Sequence, residues 1–212
     1  MRSGLLEVPK LGAYRLGMDE SRASDAECRG FAPYQPSRAR TPPSHLIRIR
    51  SATIKDLLGI MRVQAEAERP AATTSSLEQA ISDPEREVVV GTMGSMVVGW
   101  AKTHYWDHSD GPAAAGHYLG GVTVAPNSRR RGVADALTAA RLQWISQRAT
   151  QAWYVVNAKN MPSMDLHRRW GFHEVARSDR FHSTNFSGGE GILFCAVSRE
   201  GSLTNSGGFH SY

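Results

Sequence analysis

Hydrophobic positions between residues 46 and 198 follow two spacings, which predict strands mixed with helices. Val- and Ile-rich or alternating runs predict strands over residues 45–50, 87–90, 96–105, 116–124, 153–157, 172–177 and 191–197. Apolar residues three or four positions apart predict helices over residues 53–70, 75–84, 129–148 and 160–171. The resulting order, β-α-α-β-β-β-α-β-α-β-β, predicts an α/β or α+β fold with one central sheet.

The two ends of the chain lack such a spacing. Residues 1–45 contain five prolines and several Ser and Arg residues, which predicts an irregular N-terminal extension. Residues 200–212 are rich in Gly and Ser and are expected to form a frayed tail. A single folded domain is therefore expected over residues 46–199.

Composition excludes several classes of protein. The 212 residues are 41% hydrophobic, which is ordinary for a globular protein. No apolar run approaches the ~20 residues of a membrane-spanning helix, and the N-terminus lacks the apolar segment of a signal peptide. Only Cys28 and Cys195 occur, so neither a disulfide framework nor a metal site is expected. A cytoplasmic protein with no metal and no membrane partner is the expectation.

The formal net charge of +5 changes this picture only slightly. The excess is modest and dispersed, which favours a basic protein that binds a small polyanion over one that binds nucleic acid. One local concentration stands out, because a predicted helix opens with three consecutive arginines after the capping residue Ser128. Cations are disfavoured at a helix N-terminus, whose free N–H groups are already positive. A bound anion, most simply a phosphate, is the expected reason.

Two further segments are informative. Gly120 and Gly121 interrupt a predicted strand, which indicates a bulge or a close approach of another group to the backbone. Asn160 is placed to cap a short helix that ends at Gly171. Both segments flank the arginine-rich turn in sequence, so the chemistry is expected to gather around that turn.

These motifs resemble those of the GNAT superfamily of acetyl-CoA-dependent N-acetyltransferases, over about residues 46–198. Arg129-x-x-Gly132-x-Ala134 is similar to the family's [Arg/Gln]-x-x-Gly-x-[Gly/Ala] loop. The segment from Asn160 to Phe172 is similar to the family's Asn…Leu-Tyr-x-x-x-Gly-Phe segment. The resemblance implies a mixed, mostly antiparallel sheet of about six or seven strands, flanked by about four helices. It is also compatible with a homodimer, because many relatives dimerise.

The resemblance implies acetyl-CoA as co-substrate and assigns its contacts. The loop would hold the pyrophosphate with backbone N–H groups, and the preceding strand would pair with the pantetheine arm and polarise the thioester carbonyl. Asn160 would reach the pantetheine or the sulfur. The implied cofactor-binding residues are Val122, Thr123, Val124, Arg129, Arg130, Arg131, Gly132, Val133, Ala134 and Asn160.

The catalytic residues depart from the family pattern. The tyrosine that protonates the departing thiolate in many members is here His167, which can do the same chemistry or merely pack in the core. The strand position at which some members carry a glutamate base holds Tyr118, with His117 beside it. Because side chains alternate along a strand, only one of these two can face the cleft. A water chain or an acid of the loop over residues 106–115 is the alternative base.

The acceptor amine is the least determined feature. Trp106, Asp107, Asp110 and His182 are the candidate substrate-binding residues, since aromatic and acidic side chains suit a polar, cationic small molecule. The Leu-His variant also occurs in antibiotic-modifying relatives, so an aminoglycoside-type acceptor is favoured. A protein N-terminus or lysine is the alternative acceptor. A non-catalytic module that binds acetyl-CoA or nucleic acid is the alternative outside enzymes.

Overall fold

A seven-stranded sheet runs through the computed structural model, which describes residues 32–34, 46–70, 73–186 and 189–197. The predicted extension and tail lie outside these residues, apart from residues 32–34. The strands of the sheet are β1 (Ile47–Ser51), β2 (Val88–Met93), β3 (Met96–Trp106), β4 (Gly116–Val124), β5 (Gln151–Asn157), β6 (His173–Ser178) and β9 (Gly191–Val197). They lie in the order β1-β2-β3-β4-β5-β9-β6.

Neighbouring strands of this sheet are antiparallel except for β4 and β5, which are parallel. The predicted mixed, mostly antiparallel sheet is therefore confirmed. Two short strands, β7 (Arg180–Phe181) and β8 (Thr184–Asn185), form a separate hairpin that the sequence pattern did not predict. Strands of two residues are too short to show a hydrophobic period.

Four helices occur in the described part of the chain, as predicted: α1 (Leu57–Glu66), α2 (Thr74–Ser82), α3 (Val133–Ser146) and α4 (Met161–Arg168). The capping pair expected before α1 is present, since the Asp56 carboxylate accepts hydrogen bonds from the Thr53 N–H and hydroxyl at 2.8 and 3.0 Å. Arg50 also donates to this carboxylate and lowers its pKa to about 2. None of the helices described is long and apolar enough to cross a membrane.

The start of α3 corrects one prediction. The helix begins at Val133 rather than at Arg129, and Ser128 is buried in a 3-10 turn (Pro126–Ser128) instead of capping it. Gly132 is the N-cap residue, with a φ of 77° that favours glycine. The arginines therefore lie in the loop before the helix, because the left-handed turn at Gly132 separates them from the first helical residue.

Both faces of the sheet are buried under helices. On one face, α1 and α2 pack over Val88, Val90 and Trp100. On the opposite face, α3 packs over Val89 and Val98. Because side chains alternate along a strand, consecutive valines of β2 can serve both layers. The two layers together hold the central strands in register.

The face of the sheet that α1 and α2 cover is also covered, in a different part, by the β7–β8 hairpin. Towards β5, the cover changes from helices to the β7–β8 hairpin, whose Phe181 packs with Tyr118, Trp153 and the buried Cys195. The helices and the hairpin leave an opening between them above β3 and β4. This opening is where the strands can be reached from outside.

Candidate active site

The strands β4 and β5 separate after one paired position. Tyr118 pairs with Trp153, and no further pairing joins these two strands in the described chain. Residues 119–124 of β4 and 154–157 of β5 instead line the two walls of a cleft of about 930 Å³. A gap between parallel strands exposes backbone N–H and C=O groups, which can bind an extended ligand in place of a neighbouring strand.

A β-bulge shapes the wall of this cleft, as the paired glycines predicted. Between the pairs Ala101–Val122 and Thr103–Leu119, one residue of β3 faces two residues of β4. A Cβ atom on Gly120 would lie only 2.9 Å from the Lys102 side chain. Glycine is therefore required where the bulge brings the two strands together.

Arg141 of α3 holds this bulge from behind, although its side chain is completely buried. Its Nη1 donates to the carbonyl oxygens of Lys102 at 3.1 Å and Gly120 at 2.9 Å, and its Nη2 donates to the Thr138 hydroxyl. Burial lowers the Arg141 pKa to about 9. The sequence did not single out this residue, because an arginine in a helix usually indicates an exposed position.

The loop before α3 has the geometry of an anion site. Arg130 and Gly132 both have positive φ values, 61° and 77°, so the backbone turns sharply twice before the helix. The first-turn N–H groups of α3, at Val133 and Ala134, have no partner within the helix and lie on the cleft wall. Arg130 and Arg131 are exposed. Backbone donors combined with mobile cations suit a pyrophosphate.

Two more basic groups approach this end of the cleft. Arg129 is half-buried and its Nε donates to the Val124 carbonyl at 3.2 Å. Arg69, which follows α1, lines the cleft, and burial together with the nearby Arg129 lowers its pKa. Of the expected cofactor residues of the loop, Arg129, Arg130, Gly132, Val133 and Ala134 line the cleft, whereas Arg131 is exposed and is not part of its lining.

Asn160 lies on the same wall and caps α4, as predicted. Its side-chain oxygen accepts a hydrogen bond from the Ser163 N–H at 3.2 Å. The oxygen is therefore engaged in the cap, and the NH₂ group remains as a donor. This donor is the part of Asn160 that can contact a ligand in the cleft.

His167 lies deep in the cleft wall, with only 2% of its surface exposed. Its Nδ1 lies 2.8 Å from the Ser163 carbonyl oxygen, so Nδ1 carries the proton and donates it. Burial first, and then the charge of Arg141, lowers the His167 pKa to about 3. The ring is neutral at neutral pH, and its buried Nε2 is an acceptor without a partner among the described residues.

The two alternative bases on β4 point in opposite directions. Tyr118 lines the cleft, and its hydroxyl donates to the Ala114 carbonyl at 2.6 Å. Burial raises the Tyr118 pKa, so the phenol stays protonated. His117 lies on the other face, packed against Trp144 of α3 and Tyr105 of β3. Of the pair, Tyr118 is therefore the residue on the cleft side.

Three of the four predicted substrate residues meet in one cluster. The Trp106 ring lines the cleft and stacks on the His182 ring at 4.5 Å with an interplanar angle of 5°. The His182 N–H donates to Asp110, and its Nε2 lies 3.3 Å from the Tyr118 hydroxyl. Asp107 is separate, since its side chain is 84% exposed and pairs with His108.

Besides Arg69, two residues on the Tyr118 side of the cleft were missed by the sequence. His104 of β3 and Arg86, which precedes β2, both line the cleft beside Tyr118. Burial, with the charges of Lys102 and Arg86, lowers the His104 pKa to about 4. The alternation along β3 could have pointed to His104, because it places Lys102, His104 and Trp106 on one face.

The comparisons with known proteins agree with this architecture. A family model described as the acetyltransferase (GNAT) family matches residues 54–172. Among curated proteins, none matches the sequence. The ribosomal-protein-alanine N-acetyltransferase of Brucella melitensis is 21% identical, covers 71% of this chain and 99% of its own, and has a TM-score of 0.57.

Two other solved structures contain acetyl-CoA. The Salmonella typhimurium protein yncA, with its cofactor acetyl-CoA, is 18% identical, with a TM-score of 0.59 and coverage of 74% of this chain and 96% of its own. NAA60 of Arabidopsis thaliana, in complex with acetyl-CoA, is 17% identical, with a TM-score of 0.59 and coverage of 71% and 98%. At these identities the structures show a shared fold. The family model matches more than half of the chain, and with the divided sheet it shows that the chain belongs to the acetyltransferase (GNAT) family and is an N-acetyltransferase.

Proposed function

We propose that the protein transfers the acetyl group of acetyl-CoA to a primary amine of a small molecule, by direct attack within one ternary complex. The observation that carries this proposal is the separation of β4 and β5 after the Tyr118–Trp153 pair. The cleft formed there runs from the loop before α3 on one side to Arg86, His104 and Trp106 beside the β7–β8 hairpin on the other. A donor and an acceptor can therefore enter from opposite ends and meet between the strands.

The cofactor would lie along the backbone of β4. The loop with Gly132 would hold the pyrophosphate, and the pantetheine arm would pair with the free strand edge at Val122 and Val124. An N–H group of the same strand would donate to the thioester oxygen as negative charge develops on it. The bulge held by Arg141 fixes the direction of these groups before the substrate arrives.

The chemistry requires one bond to form, one to break and one proton to move. The neutral amine attacks the thioester carbonyl, the carbon–nitrogen bond forms, and the carbon–sulfur bond breaks. The proton lost by the amine is proposed to pass through Nε2 of His167 to the departing sulfur. The neutral ring must accept this proton at Nε2 before it donates one, and its lowered pKa means that the proton passes on to the sulfur rather than staying on the ring. We expect no acyl-enzyme, since Cys195, the one cysteine among the described residues, is buried in the core cluster under the hairpin.

The sequence favours an aminoglycoside-type acceptor, and that preference stays a prediction. A peptide amino terminus is the other acceptor to consider, because one protein of this fold carries the name of a ribosomal-protein-alanine N-acetyltransferase. The aromatic and polar side chains of His104, Trp106 and Tyr118, which line the cleft there, support a polar small molecule as acceptor.

The test measures release of CoA from acetyl-CoA with a panel of amino acids, amino-acid amides, aminoglycosides and peptides. Direct transfer predicts release only when an amine is present and an unchanged protein mass after incubation with acetyl-CoA alone. A stable increase in mass by one acetyl group would contradict direct transfer. Binding of acetyl-CoA without turnover of any amine would instead support a non-catalytic module.

A further inference from the structure

A row of side chains crosses the sheet at the acceptor end of the cleft. His104 pairs with Tyr118, and Tyr118 pairs with Trp153. On the other side of β3, the Thr103 N–H donates to the Glu87 carbonyl, which places Arg86 opposite His104. Paired residues of neighbouring strands project to the same face, so Arg86, His104 and Tyr118 lie side by side.

Lys102 extends this row towards the bulge. It lies two residues before His104 on the same face, and it faces Gly120, to whose Cβ position its side chain comes within 2.9 Å. Gly120 belongs to the strand edge proposed to hold the thioester. Lys102 lies beside the bulge but outside the cleft lining, so its positive charge adds from behind to that of Arg86, which lines the cleft.

The carboxylates of the cleft lie at its other end. Among the described residues that line it, the carboxylates are Asp135 of α3 and Asp165 of α4. Asp135 is paired with Arg169 at 2.6 Å. Asp83 pairs with the Nε of Arg86 at 3.1 Å, but it lies outside the cleft lining. The acids predicted to attract a cationic acceptor are engaged elsewhere, Asp107 with His108 and Asp110 with the backbone of His182.

The positive charges of this row affect the pKa of His104, which belongs to the row. Burial and the charges of Lys102 and Arg86 keep His104 neutral, since its pKa is lowered to about 4. Repulsion of this kind disfavours a polycationic ligand at the same place, whereas an anion would be attracted. The guanidinium of Arg86 offers a planar fork for an oxyanion.

We infer that the acceptor is a small primary amine that also carries an anionic oxyacid group, such as the carboxylate of an amino acid, bound by Arg86 and His104 beside Lys102. This inference rests on the proposed acetyl transfer. His104 pairs with Tyr118, the residue after which β4 and β5 separate, so a group bound at His104 lies close to the proposed reaction centre and the acceptor is expected to be short. Trp106, stacked on His182, forms the wall next to this position.

The decisive experiment compares matched acceptors with the wild-type enzyme. We expect kcat/KM for β-alanine to exceed that for β-alaninamide by about tenfold or more, which is the size of one charge-assisted hydrogen bond. The comparison is stringent, because the amide has the less basic amine and a larger neutral, reactive fraction. Kanamycin, a polycation, should be a poorer substrate than both.

Arg86→Gln should remove most of the preference for the carboxylate, and Arg86→Lys should restore part of it. Asp83→Asn is the matched control, because it breaks the same ion pair but leaves the guanidinium in the cleft. If Asp83→Asn also removed the preference, the effect of Arg86 would be structural and the inference wrong.

The outcomes separate the inference from the proposed function. Turnover of the amide or of kanamycin equal to or above that of β-alanine would overturn the inference and leave acetyl transfer standing. Binding of acetyl-CoA with no CoA release for any amine would overturn both. A carboxylate preference that Arg86→Gln reduces and Asp83→Asn retains would support both.

Discussion

The two ends of the cleft differ in the groups that form them, backbone at one end and side chains at the other. The proposed cofactor end is built mainly from one short segment, Val122 to Ala134, with Arg69 and Asn160 added from elsewhere in the chain, and it presents mainly backbone groups of a strand edge and a helix N-terminus. The acceptor end consists of single side chains from separate segments, including Arg86, His104 and Tyr118. A backbone-built site is recognisable from a short motif, whereas a site built of side chains exists only when the strands are in register.

The two ends also carry positive charge in different ways. At the cofactor end, Arg130 and Arg131 are exposed to solvent. At the acceptor end, Lys102 is partly buried beside the neutral His104, and burial lowers the pKa of both. Charges held in a poorly hydrated site discriminate strongly between ligands, because a mismatch is not screened by water. We therefore expect the cofactor end to supply affinity and the acceptor end to supply selectivity.

The largest effect is expected at the cofactor end, from Gly132→Val. A β-branched residue is strained at a φ of 77°, and its side chain would occupy the space through which the pyrophosphate is proposed to reach the loop backbone. Affinity for acetyl-CoA should fall by about a hundredfold in a calorimetric titration.

Gly94→Val is the matched control for this change. Gly94 also has a positive φ, 59°, but it lies in the exposed turn between β2 and β3. This variant should lose stability through backbone strain and keep its affinity for acetyl-CoA. Equal losses of affinity in both variants would mean that the loop acts only through general stability.

The second-largest effect is expected from Arg141→Met, a change between the two ends of the cleft. The change leaves the carbonyl oxygens of Lys102 and Gly120 without their donor, and each lost partner costs about 1–3 kcal/mol. The free energy of unfolding, measured with urea, should fall by about 2 kcal/mol, and kcat should fall with it. Arg148→Met removes an exposed cation of the same segment, stacked on Trp144, and should change kcat little. An unchanged kcat in Arg141→Met would mean that the bulge does not contribute to catalysis.

His167 gives a pH-dependent effect of intermediate size. Its folded pKa of about 3 lies below the usual value of 6.5, so the unfolded chain takes up a proton that the folded chain does not. Stability therefore falls as the pH drops below 6.5, by about 1.4 kcal/mol per pH unit for this group. His104 contributes in the same direction.

His167→Asn should flatten this dependence while keeping a donor to the Ser163 carbonyl. Urea unfolding at pH 7 and pH 5 measures the difference in slope between the variant and the wild type. The same variant should lower kcat more than the affinity for acetyl-CoA, since it removes Nε2. An unchanged kcat would return His167 to a packing role.

The smallest effect is expected from Asp107→Asn at the acceptor end. Asp107 is exposed and pairs only with an exposed histidine, so kcat/KM should stay within about twofold of the wild type. Asp110→Asn is the matched comparison, because Asp110 accepts from the backbone of His182 beneath Trp106. A larger loss in Asp107→Asn than in Asp110→Asn would reverse the assignment of the acceptor wall.

The fold was largely predictable from the sequence. The boundaries of β4 and β9, the four helices and the Thr53–Asp56 cap follow from hydrophobic spacing and capping chemistry, which are local properties. The start of α3 was misplaced because a serine before three arginines resembles an N-cap. The conformation that actually begins the helix is the left-handed turn at Gly132.

The sequence by itself pointed to the loop proposed to bind the cofactor, to the bulge at Gly120 and to the cap at Asn160, because contiguous residues and backbone geometry define each of them. Only the tertiary structure decided which of His117 and Tyr118 lines the cleft, that Arg141 is buried behind the bulge, and that Arg86 and His104 stand in one row. These features depend on strand register and on desolvation. Both arise from contacts between residues far apart in the chain, and no local pattern records them.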